Sequence, residues 1–116
     1  MLLVSHSSIL PPVLVQALRE NYEVVVIGRV GEGKEALALA LALRPQVILV
    51  ELAEFGLTGL TTIAQLRAAL PEVGIIVLIA LANRSYWEVI LAAGADEVVS
   101  NATLGTDLMP AIRRVV

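Results

Sequence analysis

Runs of aliphatic, mostly β-branched residues recur along the chain at positions 2–4, 24–27, 47–50, 75–79 and 98–99, each bounded by turn-forming residues. Each run is followed by a stretch with helical signals: Ser7 or Ser8 ahead of Pro11-Pro12 and 13–20, then 33–43, 59–70, 83–93 and 106–115. The ends of these stretches carry stop signals, since Pro45 follows Arg44, Pro71 follows Leu70, and Gly94 stands where a left-handed C-cap belongs. Pro110 would be costly in a helix interior. The last helix is therefore predicted to take Thr106 or Asp107 as its N-cap, which puts the proline in or near the first turn. Strand and helix alternate throughout, a pattern that predicts right-handed crossovers and a parallel sheet. Strands covered on both faces read as unbroken apolar runs. Val47-Ile48-Leu49-Val50 and Ile75-Ile76-Val77-Leu78-Ile79 have that character, so they are predicted to be the middle of the sheet and its most buried segments.

An open five-stranded parallel sheet of this size is an α/β fold, most economically a flavodoxin-like, doubly wound one with strand order 2-1-3-4-5 and helices on both faces. In that topology ligands meet the carboxyl ends of strands 1 and 3, which here are Ser5-His6 and Glu51. The second helix is unusual, because positions 36–43 alternate Ala and Leu. Both are strong helix formers, and in a helix Leu37 and Leu41 project nearly opposite to Leu39 and Leu43. One of these sides cannot face the core of a small domain, so an apolar outer stripe carrying Leu37 and Leu41 is predicted, with a partner or a second copy to cover it. Trp87, in an apolar fourth helix, is a further candidate anchor for an interface.

Composition narrows the classes. The 116 residues make one domain with one core, spanning 1–116. A hydrophobic fraction of 58% and a mean hydropathy of +0.85 raise the question of a membrane span. The longest apolar run, 73–82, falls well short of the about 20 residues a spanning helix needs, so no membrane association is expected. Residues 1–17 contain no Lys or Arg and are interrupted by Pro11-Pro12, which is unlike a secretory signal and points to the cytoplasm. With no Cys and a single His, neither a thiolate nor a polyhistidine metal site can be built, and no metal or cofactor is expected. The net charge is −3 and the basic residues are scattered, so this domain lacks the basic patch of a nucleic-acid-binding face. Its few aromatics, Tyr22, Phe55, Tyr86 and Trp87, provide no stacking platform for single strands.

Two chemical motifs invite catalysis and fail on inspection. The segment from Gly28 to Lys34 fits the phosphate-loop pattern G-x-x-x-x-G-K between a strand and a helix, but the next residue is Glu35, where a hydroxyl should hold Mg²⁺. A carboxylate there repels phosphate. Ser5, His6 and Glu51 contain the side chains of a hydrolase triad, yet adjacent residues leaving a strand diverge and no glycine-flanked nucleophile elbow is present.

Taken together, the segments resemble a known family, the receiver (CheY-like) domain of bacterial two-component response regulators. Gly31-Glu32-Gly33-Lys34-Glu35-Ala36-Leu37 resembles the family's approach to helix 2, and the stretch from Leu43 to Leu52 resembles its third strand. Glu54-Phe55-Gly56-Leu57-Thr58-Gly59-Leu60 is similar to the loop written M-P-G-M-D-G-L, and Ala93-Gly94-Ala95-Asp96 to the turn before strand 5. The resemblance covers the whole chain but breaks at the positions that carry the family's chemistry. Where receivers place an acidic pair that holds Mg²⁺, this chain has Ser5 and His6; the phosphoacceptor Asp is replaced by Glu51. The hydroxyl that contacts the phosphoryl group is replaced by Ile79, the phosphate-binding Lys by Asn101, and the switch aromatic of strand 5 by Val98.

These losses compound. Mg²⁺ prefers near-octahedral oxygen ligands, and phosphoryl transfer depends on positioning and charge neutralisation, for which a single carboxylate is a poor base. Glu51 also carries an extra methylene, and a displacement of roughly an ångström costs about 100-fold in such reactions. The sequence therefore implies a receiver-like domain that is not an enzyme, with a degenerate, partly solvated pocket at Glu51. Its expected role is as an interaction module, through homodimerisation or a protein partner in signalling or transcription. The competing expectation is a working phosphoacceptor at a non-standard residue. The Arg113-Arg114-Val115-Val116 segment resembles the start of a linker to an output domain.

Overall fold

The computed structural model describes residues 1–4, 12–20, 28–30, 33–52, 57–79 and 84–116. In chain order the elements are β1 (Leu2–Val4), α1 (Pro12–Glu20), β2 (Gly28–Val30), α2 (Gly33–Leu43), β3 (Val47–Leu52), α3 (Leu57–Ala69), β4 (Gly74–Ile79), α4 (Arg84–Ala93), β5 (Glu97–Ser100) and α5 (Leu104–Val115). A single 3₁₀ turn, Asn101–Thr103, joins β5 to α5. The architecture is flavodoxin-like α/β. β1, β3, β4 and β5 lie side by side in parallel, and the three-residue β2 pairs with the free edge of β1, giving the order β2-β1-β3-β4-β5. The run at 24–27, expected to be the second strand, lies outside the described residues; the edge segment seen is Gly28–Val30.

The middle strands are buried as the unbroken apolar runs require: every residue of β4 is buried, as is β3 through Glu51. Their alternate residues serve two separate cores. Ile48, Val50, Ile75, Val77 and Ile79 pack with Ala36, Ala40, Ile63, Leu66 and Ile90 on the side of α2, α3 and α4. Val47, Leu49, Ile76 and Leu78 pack with Leu14, Leu104, Leu108, Ala111 and Ile112 on the side of α1 and α5. Ala36 and Ala40 are the fully buried residues of α2, so small side chains seat that helix on the sheet. This corrects one expectation. Leu37 stands about 100° round the helix from Ala36, is half-buried and touches the core, while the outward positions of α2 are Ala38, Leu41 and Ala42.

Pro110 is also placed differently from the sequence-based expectation. Ser100 caps the 3₁₀ turn by accepting a hydrogen bond from Ala102 N–H at 3.2 Å, and that turn runs directly into α5 at Leu104. The helix therefore starts ahead of Thr106, and Pro110 sits inside it. Pro110 and Thr106 are both exposed, so the Thr106 carbonyl that loses its intrahelical donor is on the solvent side.

At the amino-terminal edge of the sheet a cluster centred on Arg67 ties two connections together, those before β4 and β5. Its Nε donates to the Gly94 carbonyl at 2.9 Å, and Nη1 donates to the carbonyls of Pro71 at 2.9 Å and Val73 at 2.8 Å. Nη2 meets Asp96 Oδ2 at 2.5 Å, and the same oxygen accepts from Ile75 N–H at 2.9 Å. Gly94 has φ +127°, and a Cβ there would lie 2.8 Å from Arg67 Cβ, so both backbone conformation and close approach require glycine.

Candidate functional site

The carboxyl edge of the sheet is where side chains leave the ladder, and the strand register places the described candidate residues along it, with Glu51 and Ile79 on opposite faces. Glu51 pairs with Leu78 and Leu52 with Ile79 across β3 and β4, while Ile79 pairs with Ser100 across β4 and β5. Asn101 follows immediately. Glu51, Ile79 and Asn101 are therefore carried by the ends of three adjacent strands. Ser5 and His6 follow β1, which pairs with β3, but lie outside the described residues.

The chemistry of the described part is mostly apolar. Ile79 is 3% exposed and belongs to the core that includes Ile63 and Ile90, so it brings neither hydroxyl nor charge. Glu51 is 8% exposed, which corrects the expectation of a partly solvated carboxylate: it is the next residue after the buried run and follows the strand into the interior. Strand alternation puts it on the side of Leu49 and Leu78, facing the α5 layer. Asn101 Oδ1 is buried without a hydrogen-bond partner among the described residues, an acceptor where the family pattern has an ammonium donor. Val98, expected at the switch position, packs against the same core as Tyr86 and Trp87.

Sequence reasoning missed Ser100. It is 6% exposed, and its capping bond to Ala102 N–H fixes the turn that carries Asn101. A Ser at the end of a strand, one residue before a helical turn, was the available signal. Among the described residues no group of three or more His, Cys, Asp or Glu side chains could hold a metal ion. Of the interface candidates, Leu41 is 41% exposed, whereas Leu37 and Trp87 are half-buried against the core.

The family model for the response regulator receiver domain matches residues 1–113. The chain belongs to the response regulator receiver family. As such it is a receiver domain of two-component signalling. The response regulator protein VraR of Staphylococcus aureus is 28% identical over 97 residues, covering 84% of this receiver and 46% of that protein. The receiver thus spans about half the length of the curated relatives it matches. Among solved structures, the response regulator domain of Thermotoga maritima CheB superposes with a TM-score of 0.82 at 21% identity, covering 98% of this chain and 92% of that one. A LuxR-family DNA-binding response regulator from Staphylococcus aureus superposes with a TM-score of 0.79 at 20% identity, covering 98% and 96%. At these identities the structural likeness shows the fold alone. No described helix is long and apolar enough to cross a membrane.

Proposed function

We propose that this receiver does not accept a phosphoryl group and acts instead as a cytoplasmic protein-interaction module, a single domain over 1–116 that binds a second copy or a protein partner. Its class is binding, not catalysis, and it makes no direct nucleic-acid or membrane contact of its own. The proposal takes the sheet as the full five-stranded, doubly wound one in the order 2-1-3-4-5. The observation that carries it is Ile79: a 3% exposed aliphatic residue, registered between Leu52 and Ser100, where the family resemblance leads one to expect the phosphoryl-contacting hydroxyl. Around it, Ser5 and His6 replace the acidic pair, Asn101 replaces the Lys, and Glu51 remains as the carboxylate of the degenerate pocket. Such a donor set does not suit Mg²⁺, and without cations the charge of a transferring phosphoryl group has no partner. The likeness to the response regulator protein VraR supports a place in bacterial signalling.

The test is intact-mass measurement after incubation with acetyl phosphate and Mg²⁺. The parent is expected to gain no phosphoryl mass. A gain that disappears in Glu51→Gln would refute the proposal and establish the competing reading, a phosphoacceptor at a non-standard residue. Titrating Mg²⁺ against Trp87 fluorescence gives a second check, with no change expected.

A further inference from the structure

The outward faces of the three helices on one side of the sheet share a pattern that the crevice does not explain. α2 exposes Glu35, Ala38, Leu41 and Ala42. α3 exposes Thr61, Ala64, Gln65 and Ala68, and α4 exposes Ser85, Glu88, Val89 and Ala92, both at the i, i+3, i+4, i+7 spacing of one helical stripe. α3 packs against both α2 and α4, so the three stripes adjoin in one face with α3 in the middle. Solvent-facing helical stripes ordinarily carry charge. This face has two carboxylates and no basic side chain among its described exposed positions, because Arg67, the basic residue of α3, is turned into the cluster at the sheet edge. The side chains of Lys34 and Arg84, at the starts of α2 and α4, lie outside the described ones. The opposite layer follows the ordinary rule, with Arg19 exposed on α1 and Asp107, Arg113 and Arg114 on α5.

We infer that this α2–α3–α4 face is the surface on which a second copy of the chain docks, with a two-fold axis running along α3. The inference rests on the reading of the domain as an interaction module and adds the face and the geometry. The central stripe carries Ala64 and Ala68 alongside Thr61 and Gln65, and the two alanines let two α3 helices approach at those positions. The margins of the face are larger and apolar: Leu41 is 41% exposed on α2 at one side, and Val89 is 48% exposed on α4 at the other. Rotation about an axis along α3 sets the α2 margin of each copy against the α4 margin of its partner, so the same aliphatic pairs are made twice. The size is sufficient. Helices of 11, 13 and 10 residues, on a molecule measuring 32 × 31 × 28 Å, give a layer about 15–20 Å long and about 30 Å wide. The accessible area of such a corrugated layer exceeds its projection of roughly 500 Å² and reaches the about 600–800 Å² per partner that specific interfaces bury. Charge depletion is also what the centre of an interface requires.

The experiment is sedimentation velocity across about 1–500 μM on the parent chain and on variants whose folding is confirmed by circular dichroism. The parent is expected to dimerise. Ala64→Arg, which places two like charges beside the axis, is expected to weaken association at least about tenfold, while Asp107→Arg on α5 leaves it unchanged. Leu41→Lys and Val89→Glu should each weaken the dimer, and the double variant should recover it, because each new Lys then faces the partner's Glu. A monomeric parent at the highest concentration, or a dimer indifferent to Ala64→Arg, overturns the inference. So does a dimer abolished by Asp107→Arg instead, which would move the interface to α5 and leave the interaction-module reading standing. That reading fails separately, through phosphoryl mass on Glu51.

Discussion

Replacing Arg67 with methionine keeps the aliphatic stem and removes the guanidinium that ties α3 to the turns before β4 and β5. Three carbonyl oxygens, those of Gly94, Pro71 and Val73, lose donors now 2.8–2.9 Å away; the Leu70 carbonyl, at 3.5 Å, is too distant to count for much. A hydrogen bond of this kind contributes about 0.5–1.5 kcal/mol net, so the three together stabilise the fold by about 2–4 kcal/mol. The ion pair with Asp96 adds little, because the two side chains are 25% and 42% exposed and surface pairs are worth about 0–1 kcal/mol. Arg67→Met is therefore expected to lower the urea midpoint at unchanged slope and the melting temperature by on the order of 10 °C. Asp96→Asn provides the contrast. It removes the charge but keeps a side-chain oxygen able to accept from Ile75 N–H, so its cost should stay below about 1 kcal/mol. Urea denaturation followed by circular dichroism measures both. If Arg67→Met falls within about 0.5 kcal/mol of the parent, or Asp96→Asn costs as much as it does, the carbonyl bonds are not what holds this edge together.

Gly94→Ala forces φ +127° on a side-chain-bearing residue and drives its Cβ against Arg67, and the same denaturation assay should show a loss of about 1–3 kcal/mol. Pro110→Ala restores an N–H that can reach the Thr106 carbonyl inside α5; calorimetry should find the variant more stable by about 1–2 kcal/mol, the regained bond and propensity outweighing the looser unfolded chain.

The sheet was legible because its signal is local. Val47-Ile48-Leu49-Val50 and Ile75-Ile76-Val77-Leu78-Ile79 have no polar interruption, and only a strand covered on both faces suits such a run. The placement of Glu51, Ile79 and Asn101 at one sheet edge followed from topology, since every parallel strand ends there. What escaped depended on neighbours distant in sequence or on a competing local rule. Arg67 reads as an ordinary basic residue in the last turn of a helix, and nothing near it announces bonds to Gly94 and Asp96. Pro110 was assigned to a first turn by its usual cost, which solvent exposure of its face reduces. The burial of Glu51 was missed because a carboxylate at a strand end is expected to reach water, whereas β3 remains buried through that position. Leu37 was read from lettering alone, without knowing that Ala36 and Ala40 would set the rotation of α2.

The pairing of β1 has a kinetic consequence. Leu2 pairs with Gly28 across one helix but with Ile48 only across nearly half the chain, so the β1–β2 edge joins the rest of the sheet through a distant pairing, whereas β3 meets β4, and β4 meets β5, each across one helix. Closing a longer loop costs more chain entropy before any contact rewards it, and such pairings slow folding. The nucleus is thus expected in the β3–α3–β4–α4–β5 half, where the unbroken aliphatic strands and the Arg67 ties are formed by shorter stretches of chain. β1 then docks late against a preformed β3 edge, so substitutions at Leu2 or Leu3 should speed unfolding, while those at Val77 should slow folding.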